Sequence, residues 1–135
     1  MANYGPGYQL GDGNRAELII GVQAAPQTAT STATLTAAQI TGGLIVGDPS
    51  TSAASYTLPT VALTEAVLTN AKTDSCFRFT IVNLGTSSGV ITLLVGTGWT
   101  LVGKATVPIT STDGSSATWL CRKTGTAAWT AYRVS

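Results

Sequence analysis

The stretch SCFRFTIVN, residues 75–83, decides how this chain is to be read. Phe77, Phe79 and Ile81 alternate with Cys76, Arg78, Thr80 and Val82. A period of two puts the first set on one face of a β-strand and the second set on the other. On the C-terminal side, GTSSG (85–89) reads as a hairpin loop into a strand at VITLLVG (90–96). GTGWTLVG (96–103) and ATVPITS (105–111) supply two more short strands. TDGSS (112–116) carries an Asp-Gly turn signal before ATWLCRKT (117–124), and AWTAYRV (128–134) is the last strand.

On the N-terminal side, GLIVG (43–47) and ASYTLP (54–59) read as two strands joined by the turn DPST. TVALTEAVLTNAKT (60–73) is the one good helical stretch. Thr60 caps it, Leu63 and Val67 fall one turn apart, and Asn70 marks its end. LTAAQI (35–40) is a single helical turn with Thr36 as N-cap, stopped by Gly42-Gly43. Short strands between Gly- and Ser-rich turns predict a mainly all-β domain over residues 35–135. It is a compact β-sandwich or jelly-roll-like domain with one short helix. No fixed-period repeat is visible, which argues against a solenoid.

Residues 1–34 differ in character. Glycines around GPG and GDG precede one apolar segment, AELIIGV (16–22), and then the low-complexity run QAAPQTATSTATLT. Such a composition buries too little surface to fold alone, so it reads as an extended N-terminal arm. Leu18, Ile19 and Ile20 nevertheless cost about 1.5–3 kcal/mol each to leave in water. Either the arm folds back on its own domain or it lies on another protein.

The 135-residue chain is one domain in size, with 44% hydrophobic but only 10% charged residues and a formal net charge of +1. So small a net charge gives no field to attract nucleic acid or an anionic membrane, and it favours association with other protein surfaces. No apolar run approaches the ~20 residues of a membrane span. The N-terminus lacks the basic-then-apolar order of a secretory signal, so synthesis and retention in a cytoplasm until assembly is the expectation.

The chemistry-bearing residues are few. There is no histidine, which removes the usual general base and the commonest metal ligand. Asp12, Glu17, Asp48, Glu65, Asp74 and Asp113 are spread singly, without the pairing a glycosidase needs. Cys76 and Cys121 lie in separate strands and lack metal-ligand spacing; free thiols are favoured over a disulfide, given a reducing compartment. Arg78, Arg122 and Lys123 near Trp119 resemble a single-strand nucleic-acid platform only superficially, with seven basic residues in all. Trp99, Trp119 and Trp129, with Tyr4, Tyr8, Tyr56 and Tyr132, fit core or interface packing better than a sugar-stacking platform. The expectation is a protein that binds other proteins, is not an enzyme, and has no catalytic, metal or cofactor residues.

Five elements carry a resemblance: Gly42–Val46, the Tyr-Thr-Leu-Pro strand end at Tyr56–Pro59, the short helix at 61–69, Phe-x-Phe-x-Ile-x-Asn at Phe77–Asn83, and Gly96–Gly103. Together they resemble a domain of tailed-phage and related viral structural proteins, notably capsid decoration (cement) proteins. The likeness covers about residues 35–134 and leaves the arm outside. It implies a homotrimer at local three-fold sites on the capsid exterior, with the major capsid protein as partner. The same kind of domain occurs in tail or fibre proteins, which keeps a receptor- or carbohydrate-binding role open. The arm fits decoration, since an apolar strand adds to an exposed sheet by backbone pairing. Arg15, Glu17, Leu18, Ile19 and Ile20 are its expected shell contacts.

Overall fold

A computed structural model describes residues 20–112 and 115–135. Among these residues two sheets carry the fold, one of six strands and one of four, with two short helices, the helix expected within 60–73 and a second grown from the helical turn expected at 35–40. The chain passes from one sheet to the other and back. β1 (Gln27–Ala29) joins the six-stranded sheet and β2 (Ala33–Thr34) the four-stranded one. After helix α1 (Ala37–Thr41) the chain repeats the move with β3 (Leu44–Gly47) and β4 (Ala54–Thr57). After α2 (Val61–Val67) it does so again with β5 (Cys76–Asn83) and β6 (Ile91–Leu94). Within each sheet these strands lie side by side and parallel, β1-β3-β5 in one and β2-β4-β6 in the other.

This winding departs from the antiparallel pairing of a jelly roll. It also corrects two connections. DPST does not fold β3 onto β4, nor does GTSSG fold β5 onto β6, because each pair is split between the two sheets. Both loops are corners. A tight hairpin can join only antiparallel neighbours; parallel neighbours need a long crossover, supplied here by a strand of the other sheet and a helix or loop. The missing sequence repeat also has a physical reason. Register partners Gln27 and Ile45 are 18 residues apart, but Ile45 and Ile81 are 36 apart. The turns of the coil differ in length, so no period survives.

Antiparallel strands then end the winding. β8 (Thr106–Val107) closes the four-stranded sheet against β6. β9 (Ser116–Gly125) runs antiparallel along β5 and turns back into β10 (Ala128–Arg133). β7 (Trp99–Val102) takes the far edge, parallel to β10. The Asp-Gly turn at Asp113-Gly114 lies outside the described residues.

The two sheets enclose one core. Ile45, Phe79, Ile81 and Trp119 from the larger sheet meet Tyr56, Ile91, Leu93 and Val107 from the smaller, all fully buried. Gly47 marks a close approach between them: a Cβ there would sit 2.7 Å from the Tyr56 hydroxyl, so only glycine fits without a shift. That hydroxyl donates to the Ala29 carbonyl at 2.7 Å and ties the two sheets together. Burial first, and the nearby Asp48 carboxylate second, raise the Tyr56 phenol above its ordinary pKa and keep it a donor.

Both helices begin as their caps dictate. Thr36 Oγ1 accepts from Gln39 N while Gln39 Oε1 accepts from Thr36 N, a reciprocal capping box. Thr60 Oγ1 accepts from Leu63 N at 3.3 Å. α2 stops at Val67, short of Asn70. Its buried side is Val61 and Thr64, and the Leu63–Val67 pair is 58% and 52% exposed. The apolar pair one turn apart is therefore the outer side of this helix.

Candidate interaction surfaces

The arm meets the domain at its described end. Gln27–Ala29 and Ala33–Thr34, from the Ala- and Thr-rich run, form an edge strand of each sheet. Just upstream, Gln23 Nε2 donates to the Gly42 carbonyl at 2.6 Å and holds the chain beside the start of β3. Just before that anchor, among the described residues, Val22 is 100% and Ile20 79% exposed. Of the expected shell contacts, Arg15, Glu17, Leu18 and Ile19 lie outside the described residues. Ile20 is an uncovered apolar side chain.

Asn83, which closes the Phe-x-Phe-x-Ile-x-Asn element, proves to be a structural keystone that the strand pattern alone did not assign. Its fully buried amide reaches the carbonyls of Gly89, Val107 and Pro108 at 2.9, 3.1 and 2.9 Å. Its Oδ1 accepts from Gly85 N at 2.7 Å. One side chain thus holds the corner after β5 and the end of β8.

The tryptophans are committed to packing. Trp119 stacks on Phe79 with centroids 5.4 Å apart, and Trp99 and Trp129 meet at 5.8 Å. All three are buried, so Trp99 and Trp119 offer no stacking surface to a sugar. Trp99 Nε1 donates to the Pro59 carbonyl at 2.8 Å. Trp129 Nε1 donates to Glu65 at 3.0 Å, and the same carboxylate takes the Lys123 ammonium. That cluster pins α2 to the β9–β10 hairpin. The hydrogen bond from Lys123, then that from Trp129, holds the Glu65 carboxyl below its ordinary pKa.

The remaining charged groups serve similar ends. Arg122 pairs with Asp74, so two of the three cations near Trp119 are already engaged by carboxylates. Cys76 and Cys121 are free thiols. They sit one register step apart on neighbouring strands and therefore face opposite sides of the sheet. Burial pushes the Cys121 thiol up to about 12, so it behaves as a small hydrophobe. Exposed Cys76 rims a shallow cleft of about 210 Å³ with Phe77, Trp129 and Leu68. Among the described residues no three His, Cys, Asp or Glu side chains converge on a point where a metal would sit. No helix among them is long and apolar enough to cross a membrane.

No family model, characterised protein or solved structure matches the chain.

The outer faces of the two sheets differ in chemistry. On the four-stranded sheet the residues opposite the core are hydroxylated: Thr34, Ser55, Thr57, Thr92 and Thr106, with Leu94 the aliphatic exception. On the six-stranded sheet the corresponding positions are mixed: Leu44, Val46, Val82, Leu120 and Val102 are interspersed with Thr28, Thr80, Thr100, Ser116, Thr118 and Thr130 and with Arg78 and Arg122. Thr80 and Thr118 bond each other across the strands at 2.8 Å. Tyr132 lies beside Leu120 on the same face.

Proposed function

We propose that this chain is a virion structural protein of the capsid-decoration kind, assembling as a trimer on the outside of a shell and reaching the major capsid protein through its N-terminal arm. The observation that carries the reading is the arm's departure. Gln23 tethers the chain, and the two described large apolar residues before it, Val22 and Ile20, are bare. Apolar side chains exposed to that degree favour a binding partner, and an extended segment gains both side-chain burial and backbone pairing when it adds to a sheet. The domain itself supports an architectural role. Its three tryptophans, Tyr56 and Phe79 fill the core, and its half-buried ion pair joins a helix to a hairpin. Binding only the assembled lattice would stabilise it by mass action, about 2.7 kcal/mol per site at a free concentration a hundred times Kd.

The test is co-sedimentation with shells assembled from the major capsid protein encoded alongside this chain. Deleting residues 1–22 leaves β1 and β2 in place and should abolish binding while the oligomer persists. Full occupancy by the truncated protein would sink the arm reading. Of the stacking residues Trp99, Trp119 and Tyr132, the fibre-head alternative keeps the half-buried Tyr132, since Trp99 and Trp119 lie in the core. A specific glycan-array signal from the purified chain would restore it.

A further inference from the structure

We infer that the arm of the free chain folds back on its own domain, with Glu17, Leu18 and Ile19 adding as a short strand to the open start of β5, beside the cleft that Phe77 and Trp129 line. The inference goes beyond the reading above, saying where the arm rests before any shell is present.

β3 accompanies only part of β5. Its first residue, Leu44, lies opposite Thr80, and Thr80 N donates to the Gly43 carbonyl at 2.9 Å. Ahead of Thr80, β5 has β9 on one side and no described strand on the other. Lys123 N donates to the Ser75 carbonyl. By antiparallel alternation Ser75 and Phe77 therefore face β9 with their backbone groups, while Cys76 and Arg78 turn theirs the other way. No described turn, loop or side chain bonds to those outward N–H and C=O groups. An unpaired edge of this kind is a template for one more strand. Next to it lies the cleft of about 210 Å³, lined in part by Leu68, Cys76, Phe77 and Trp129.

Reach selects this chain's own arm as the occupant. Gln23 Oε1 and the Arg78 carbonyl both lie within 4 Å of where a Cβ on Gly43 would stand, so the arm is anchored next to the open edge. Gly21 leaves room for the chain to turn, with nothing within 4 Å of its own Cβ position. Leu18 precedes Gln23 by five residues and so reaches as far as about 17 Å from it, enough to span β5 from Arg78 to Cys76. So short a tether gives the arm a local concentration of roughly millimolar, far above that of other copies in a micromolar solution. Charge and pattern agree with this choice. Exposed Arg78 has no carboxylate partner among the described residues, and Glu17 brings one. Alternation puts Glu17 and Ile19 on the face of Arg78 and sends Leu18 to the face of Phe77 and the cleft. A strand this short makes a weak contact, which a shell can displace.

Cys76 reports the result. It is exposed beside this edge, while buried Cys121 is the unreactive reference. Iodoacetamide labelling of the full chain, read by intact mass, should run about threefold or more slower at Cys76 in the wild type than in Glu17→Arg or Leu18→Asp. Arg78→Glu should label as fast as those two. Glu17→Arg combined with Arg78→Glu should label as slowly as the wild type, a recovery that changed charge beside the thiol alone would not give. One common rate for the wild type and every variant overturns the proposal. Protection that rises with protein concentration also overturns it, because the edge then belongs to the arm of another copy. No shell takes part in the measurement, so its outcome is separate from decoration. A protected Cys76 in a chain that never binds shells sinks the virion reading alone, and shell binding by a chain with unprotected Cys76 sinks this one.

Discussion

Asn83 shows what one side chain can hold. It ends a strand whose alternation already places it inward, and a buried amide there must find partners or cost about 1–3 kcal/mol for each group left bare. It finds carbonyls on the corner after β5 and on the chain after β8, plus one amide hydrogen. Asn83→Ala strands these groups together and should lower unfolding free energy by about 2–4 kcal/mol, measured by denaturant titration. Asn83→Asp should be worse, because a carboxylate would face three carbonyl oxygens with no proton to offer. An aspartate variant as stable as the wild type at neutral pH would remove the keystone role.

At the scale of the element, α2 is held more by what it touches than by its own propensity. Two turns of helix are too short to persist alone, and its Leu63 and Val67 face solvent. Thr60 caps it, Val61 and Thr64 enter the core, and Glu65 takes hydrogen bonds from Lys123 and Trp129. Because the folded carboxyl titrates below its ordinary value of about 4.5, its stabilisation is present above that pH. It is lost as pH falls through the lowered folded value. Glu65→Gln should therefore melt below the wild type at neutral pH, with the gap in Tm closing as pH drops under about 4. A gap that stays constant from pH 7 to pH 3 would mean that the carboxylate's charge contributes nothing.

At the scale of the whole molecule, the decisive feature is the coil. The first turn, β1 and β2, comes from residues of such low complexity that composition alone reads them as arm. Two deletions separate the roles. Removing residues 1–22 should leave Tm within a few degrees of the wild type. Removing residues 1–34 strips an edge strand from each sheet and the Ala29 carbonyl from Tyr56, and should lower Tm by about 5–10 °C or more. Equal Tm for both truncations would make the first turn dispensable.

The sequence by itself determined the strands from β3 onward, the inward face of β5 and both helix starts. Alternation in Phe77–Asn83 and the threonines at 36 and 60 act over a few residues, and local chemistry suffices for them. It also left the molecule without a histidine, whatever its shape. Only the tertiary structure decided which strands are neighbours. A period of two says which face is buried but not whose backbone lies alongside, and DPST or GTSSG serves as well for a corner between sheets as for a hairpin. It alone decided that Leu63 and Val67 point outward, because the helix is oriented by Val61, Thr64 and Glu65. It alone set the make-up of the outer faces, hydroxylated on the smaller sheet and mixed on the larger, since a face exists only once six strands of one sheet and four of the other have been brought side by side.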